Sequence, residues 1–256
     1  MKLLSLNIWG GKQFDVLIDY IQKHSHDVDV FCFQEVFNTP TAYTTVDTYY
    51  RANIFSELQE ILPDHQWYHA PVQWWYGFES PADFDICWGL ALFVRKSLQV
   101  VDIWDIYLYL HLNAKIAWDN SSIGRNLQYV KIHDGKSAYT IGHFHGYRNG
   151  KGKTDTPERI AQSTKARKFF DSHTGKRILC GDFNLLPHTE SIAILEWDDF
   201  TNLIKTHNIT TTRSNLYTKP EKFADYTLVS PEVEVKNFSV PYTEASDHLP
   251  MHVEFN

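Results

Sequence analysis

Apolar runs of strand length in this chain stop again and again at polar or ionisable side chains. KLLSL ends at Asn7, VFCF at Gln34 and Glu35, AYTIG at His143 and His145, and RILC in Gly181-Asp182-Phe183-Asn184; Ser246, Asp247 and His248 fill the loop before MHVEF. Such runs read as buried strands. A buried strand that finishes in an acid, an amide or an imidazole sets that group where a rigid scaffold meets solvent. Five such clusters in one chain call for a fold that gathers strand ends along one edge.

The order of elements narrows that fold. Lys2 to Ile8 and the Gly10-Gly11 pair predict strand then turn, and FDVLIDYIQKH carries Phe14, Leu17, Ile18 and Ile21 at helical spacing. VDVFCFQEVF predicts a strand and IFSELQEILPD a short helix closed by Pro63, so the opening third is βαβα. QWYHAPV, GLALFVRKS, QVVDIWDIYLYL, NLQYVKIH and SAYTIGHFH then read as consecutive antiparallel strands. The helical ERIAQSTKARKFFDSH, the strand RILCGDF and the segment LLPHTESIAILEW restore a βα pattern, and DYTLVS, VEVKNFSV and MHVEF add three strands. Helices mixed with such strands predict a sandwich in which helices cover two packed sheets. No repeat, low-complexity run or linker interrupts it, so residues 1–256 are expected to form a single domain.

Composition removes several classes. Of 256 residues, 43% are hydrophobic and 15% aromatic, enough for one core without disulfides. A formal net charge of −7 argues against nucleic-acid binding driven mainly by phosphate neutralisation, while local phosphate contacts stay open. Cys32, Cys87 and Cys180 lie far apart in apolar contexts and read as reduced core thiols. No run approaches the roughly 18 apolar residues of a membrane span. Asn7 breaks the only N-terminal apolar run, and no cleavage-site pattern follows it, so the expected location is the cytoplasm.

Glu35 follows an almost wholly apolar run, where a carboxylate needs a cation or hydrogen-bond donors; a hard divalent ion is one natural partner and a salt bridge another. In extended backbone, Asp182 and Asn184 share a face while Phe183 points away. They fit an Asx turn that caps the next helix. They fit equally well an acid that takes a proton from water beside an amide that holds an anionic oxygen. His143 and His145 also share a face, without a third ligand at zinc spacing.

These residues resemble, in order, the motifs of the endonuclease/exonuclease/phosphatase superfamily, the metal-dependent phosphoesterases related to pancreatic deoxyribonuclease. LNIWG resembles the first strand of the family, FQEV its Gln-Glu metal motif and GDFN its Asp-x-Asn motif; DYTLVS resembles the strand with a further Asp, Asp225, and SDHLP the terminal Asp-His motif. The resemblance implies a four-layer α/β sandwich, two packed mixed β-sheets flanked by helices. It implies Glu35 as the main Mg²⁺ ligand, with Mn²⁺ as the other candidate ion, assisted by Asn7 and Asp247. It further implies that Asp182 orients or deprotonates the attacking water, Asn184 contacts the scissile phosphate, and His248, oriented by Asp225, stabilises the phosphoryl oxygens. His145 fits the additional phosphate-contacting His, leaving His143 a structural role. Apurinic-site endonucleases of the superfamily often carry Tyr where this chain has His145. His there is more like the branches acting on phosphodiester lipids, tyrosyl-DNA adducts, inositol phosphates, nucleotides or poly(A).

The expected activity is therefore Mg²⁺-dependent phosphoester hydrolysis of the phosphodiesterase or nuclease type, on a phosphoester substrate such as nucleic acid or a nucleotide. A phosphomonoesterase acting on a small metabolite is the alternative, and an inactive scaffold is a third reading. Arg125 and Arg148 are the candidate substrate-binding cations; Lys151 and Lys153 share the loop of Arg148, which reads equally as a solvated loop. The aromatics of QWYHAPVQWWYGFESPADFDICW fit either a stacking wall or a core cluster. No association segment stands out, so a monomer is expected.

Overall fold

The computed structural model describes residues 1–41, 44–114, 122–196 and 200–256. In chain order the first elements are β1 (Lys2–Asn7), α1 (Phe14–His24), β2 (Val30–Asn38), the short pair β3 (Thr45–Val46) and β4 (Tyr50–Arg51), α2 (Ile54–Ile61), β5 (His65–Trp74), β6 (Cys87–Arg95) and β7 (Gln99–Tyr109). There follow β8 (Arg125–His133), β9 (Ala138–His145), α3 (Pro157–Asp171), β10 (Lys176–Asp182), α4 (Glu190–Leu195), β11 (Thr201–Asn202), α5 (Leu203–Thr206), β12 (Asp225–Val229), β13 (Val235–Ser239) and β14 (Met251–Phe255). The helix expected through Trp197 is described from Glu190 to Leu195, and Trp197 itself lies outside the described residues.

Two mixed six-stranded sheets result, ordered β13-β14-β1-β2-β6-β5 and β11-β12-β10-β9-β8-β7. This is the α/β sandwich with helices that the motifs implied. Alternation decides what each face meets. On the first sheet, Leu4, Leu6, Phe31 and Phe33 pack with Leu17 and Ile21 of α1 and with Ile54, Phe55 and Leu58 of α2. Their strand neighbours Leu3, Val30 and Cys32 instead join Val130, Ile132, Ile141, Ile178 and Cys180 of the second sheet. Phe170 of α3 packs over Gly142 on the second sheet's outer face. Thr156 caps α3 by accepting from the Arg159 amide, and Pro157 takes the first-turn position that needs no donor.

In one respect the strands differ from expectation. The run from residue 66 to 141 is not one antiparallel meander: β5 pairs with β6, and β7 with β8 and β8 with β9, but β6 and β7 lie in different sheets although three residues join them. β6 is buried along almost its whole length, as an inner strand must be, whereas β7 is half-exposed and closes the edge of the other sheet.

The space between the sheets becomes polar toward one end. His143 is fully buried there, with Nδ1 3.1 Å from Gln34 Nε2 and Nε2 3.0 Å from Gln128 Oε1; Gln128 in turn donates to the Tyr68 carbonyl at 3.1 Å. Burial holds His143 down to about 3, so it stays a neutral imidazole that links the sheets. Among the described residues, no helix is long and apolar enough to cross a membrane.

Candidate active site

Strand direction explains why the polar clusters meet. β1 and β2 are parallel, as are β9 and β10, so Asn7, His145 and Asp182 leave from C-terminal strand ends, while Glu35 leaves from within β2, three residues before its end. β8, β12 and β14 run antiparallel to their neighbours, and there the N-terminal ends supply Arg125, Asp225 and the Asp247-His248 loop. All of these residues line a single cleft of about 460 Å³ except Asn7 and Asp225, which lie buried against its floor.

Asp182 is the point of convergence. Its Oδ2 accepts from Asn7 Nδ2 at 3.2 Å and from Asn184 Nδ2 at 3.4 Å, and its Oδ1 from the Asn184 amide at 2.9 Å. His145 Nε2 and His248 Nε2 stand 3.6 and 3.5 Å from the same Oδ2. Burial pushes the Asp182 carboxyl up, but the charges of His248, Arg213 and Lys153 outweigh it and hold the group well below the usual carboxylate range. It is an anion at neutral pH. Asn184 adopts φ +54°, which directs its amide back to Asp182 and its Nδ2 to the Gly146 carbonyl at 3.3 Å. The Asx turn is present, but it caps no helix: Thr189 caps α4.

Glu35 reaches this group only through an irregularity. Simple alternation puts Gln34 between the sheets and Glu35 on the helix-covered face. A β-bulge between Gln34 and Val36 and a φ of +61° at Glu35 turn the carboxylate into the cleft instead, while Val36 returns to the outer core. Glu35 Oε1 lies 3.7 Å from His145 Nε2. Burial raises its carboxyl, and the nearby charge of Asp247 raises it further.

Asp225 holds His248 from behind, with Oδ1 2.8 Å and Oδ2 2.9 Å from Nδ1. The second ring nitrogen is left facing Asp182 and Asp247, 3.5 and 3.8 Å away. Burial and Arg213 oppose protonation of His248, but Asp225, Asp247 and Asp182 outweigh them and raise it above the ordinary histidine value. His145 goes the opposite way: burial and then Arg125 keep it far below, so it is neutral. One cleft thus holds two histidines whose protonation is pushed in opposite directions.

A family model described as the Endonuclease/Exonuclease/phosphatase family matches residues 4–248. The chain belongs to the endonuclease/exonuclease/phosphatase family. No curated protein matches the sequence. Among solved structures, a mannosyl-6-phosphatase of Bacteroides thetaiotaomicron is similar over 100% of this chain and 99% of its own, at 18% identity and a TM-score of 0.67. An endonuclease/exonuclease/phosphatase family protein from Leptotrichia buccalis is similar at 16% identity and 0.72, covering 100% and 99%. D. rerio TDP2 complexed with single strand DNA product is similar at 13% identity and 0.67, covering 100% and 98%. At these identities the likeness establishes a common fold. Members of the endonuclease/exonuclease/phosphatase family are hydrolases of phosphoester bonds.

Around this family cluster the cleft has two kinds of wall. Trp9, Tyr50, Phe78 and Trp88 form the aromatic one, so the aromatic segment serves both earlier readings: Trp88 packs with Phe37 and Phe78 in the core and also faces the cleft, whereas Trp67 and Trp75 are exposed. The cationic wall holds the buried Arg125 and the exposed Arg148, with Lys153, Arg213 and Lys219. Nε and Nη1 of Arg125 have no hydrogen-bond partner, and burial brings its guanidinium down to about 10. Lys151 is exposed and outside the cleft.

Sequence reasoning missed Arg213 and Tyr217. In TTTRSNLY they look like solvated loop residues, and nothing in their spacing marks them. The neighbouring hydroxyls do the positioning. Thr212 Oγ1 accepts from the Ala224 and Asp225 amides, Ser214 Oγ donates to the Ser246 carbonyl, and Arg213 bridges to His248 through the backbone. Arg213 Nη1 then pairs with Asp247 Oδ2 at 3.2 Å.

The loop after β9 is held by Arg159, which is 1% exposed and donates to the carbonyls of Tyr147, Gly152 and Thr154. Arg159→Met leaves these buried acceptors without their donor. We expect a loss of about 2–3 kcal/mol in urea denaturation, together with faster proteolysis within residues 147–154.

Proposed function

We propose that this chain is a divalent-metal-dependent phosphoesterase, most simply a phosphodiesterase, in which Asp182 activates the attacking water. The observation that carries this reading is the convergence on Asp182: a buried, ionised carboxylate held by Asn7 and Asn184, with the imidazoles of His145 and His248 within 3.6 Å. A carboxylate so placed accepts a proton from water, and its fixed partners keep it aimed. Neutral His145 offers an N–H to the phosphoryl oxygens, while Asn184 keeps Asp182 aimed. His248, whose protonated form Asp225 favours, stabilises the charge that grows on those oxygens.

The residues fit a hard divalent cation. Glu35 and Asp247 are acidic side chains, the charge of Asp247 raises the cost of ionising Glu35, Asn7 adds an amide oxygen, and all three donors are oxygen, the set that Mg²⁺ or Mn²⁺ prefers. Asp182, Asp225 and His248 also bring one ligand atom each within 4.8 Å of one another. That trio is the poorer candidate, because Asp225 spends both oxygens on His248 Nδ1. When bound, the ion supplies Lewis-acid stabilisation of the phosphoryl charge. We expect Glu35→Gln to raise the Mg²⁺ concentration for half-maximal activity by about 10- to 100-fold or more, the range seen when groups that support a metal site are lost. Titrating activity against Mg²⁺ and Mn²⁺ checks it; an unchanged midpoint removes Glu35 from the ion.

The aromatic wall favours a diester, since it gives an organic leaving group an apolar surface to lie against. A phosphomonoester of a small metabolite is the second reading, favoured by the concentration of cations in a cleft of only about 460 Å³, a small-ligand size. Mg²⁺-dependent hydrolysis of bis-p-nitrophenyl phosphate, p-nitrophenyl phosphate, single- and double-stranded oligonucleotides and a nucleotide panel separates them, with Asp182→Ala as control. Preference for the diester and loss in the variant support the proposal. Activity that survives Asp182→Ala overturns it.

A further inference from the structure

Lys153 is a buried cation of the cleft whose charge helps to hold Asp182 ionised. It is 7% exposed, lines the cleft, and its Nζ has no hydrogen-bond partner and, among the described residues, no ion pair. Its nearest aromatic is Tyr217, with Nζ 5.2 Å from the ring centre. The Arg213 guanidinium packs on the same ring at 4.1 Å. Arg213 gives Nη1 to Asp247, but its Nε is buried and, among the described residues, has no hydrogen-bond partner. Two cations therefore share one aromatic platform, each with an N–H that no acceptor takes. Burying such groups without an acceptor is unfavourable, and an anion is the partner that resolves it.

The backbone around Lys153 is fixed rather than loose. Its carbonyl accepts from the Leu186 amide at 2.9 Å, and the carbonyls on either side of it, of Gly152 and Thr154, are bound by Arg159. The side chain is thus presented from an anchored position, as a recognition site requires.

Sheet order separates this pair from the other cations. Arg125 begins β8, and across the sheet come β9 with His145, β10 with Asp182 and β12 with Asp225. Arg213 lies beyond Asp225, bridged to His248. With neighbouring strands about 4.8 Å apart, Arg125 and Asp225 are three strand spacings apart, about 14 Å. Arg125 and Arg148 stand on the His145 side of Asp182, while Lys153 and Arg213 stand on the side of Asp225.

We infer that Lys153 and Arg213, on the Tyr217 platform, form a second anion subsite, and that the substrate carries a second phosphate group besides the one that reacts. This inference rests on the proposed phosphoesterase reading for the identity of the first group. A terminal phosphate on a short nucleotide chain and a second phosphate on a sugar offer the same chemistry to these cations.

The test reads binding rather than turnover. In the Asp182→Asn protein with Mg²⁺, calorimetry compares the dithymidine monophosphate TpT with its 5′-phosphorylated form, and glucose 6-phosphate with glucose 1,6-bisphosphate. We expect the doubly phosphorylated member of at least one pair to bind tenfold or more tightly, and the responding pair identifies the source. Lys153→Met is expected to bring that ratio to within about twofold of one, and Lys153→Arg to restore it. Equal or undetectable affinities in both pairs overturn the inference, as does a ratio that Lys153→Met leaves intact. A preserved ratio beside a wild type that hydrolyses no phosphoester sinks the catalytic reading alone. A far-UV spectrum matching wild type shows that Lys153→Met is folded.

Discussion

Asp182→Asn is expected to lower kcat by about 10²- to 10⁴-fold, the usual contribution of a positioned general base, while the protein stays folded. The neutral amide keeps the shape, and its oxygen can still accept from the Asn184 amide, now 2.9 Å away. It cannot take a proton from water, and it turns a donor toward Asn7 Nδ2, which already donates there. It also withdraws one of the three carboxylates that favour the protonated form of His248. Single-turnover rates on the best substrate, with urea denaturation alongside, measure both effects. Retention of activity to within tenfold means that another group activates the water.

Gly181→Ala is expected to cost about 3–5 kcal/mol, from strained backbone and overpacking together, and to take activity with it. Gly181 has φ +124°, a conformation that L side chains rarely adopt, and a β-carbon there would stand 2.3 Å from the Phe144 carbonyl oxygen. That neighbour is backbone in the parallel β9–β10 ladder and cannot rotate away. Relief would have to come from separating the strands that carry His145 and Asp182. Urea denaturation and the activity of the surviving folded fraction test this, and a midpoint close to wild type would mean that the ladder yields more easily than a packed interior does.

Much of this arrangement is legible without coordinates, for local reasons. The runs at Leu3–Leu6, Val30–Phe33 and Ile178–Cys180 are too apolar and too short to be anything but buried strands, and the side chains that stop them are visible as interruptions. GDFN forms an Asx turn that holds Asn184 against Asp182, the one of its two readings that local hydrogen bonding decides. The switch of sheets between β6 and β7 was hidden, since pairing partners are set by which edge is free and not by the three residues that connect the strands. Glu35 shows a subtler limit: alternation assigns it to the helix-covered face, and the bulge that reverses this leaves no mark in the letters FQEV.

The sequence by itself marked the strand ends, where Asn7, Glu35, Asp182, Asn184, Asp247 and His248 stand as polar breaks in or beside apolar runs, and through its motifs the family, whose pattern alone pointed to Asp225. Only the tertiary structure decided which cations face the cleft. Lys151 and Lys153 are two residues apart in one polar loop, yet one is exposed and the other is buried against Tyr217. Arg213 comes to the cleft through contacts with residues 34 and 35 positions further along the chain. Burial and partnership for such residues are set by where distant backbone passes, so no local pattern can announce them.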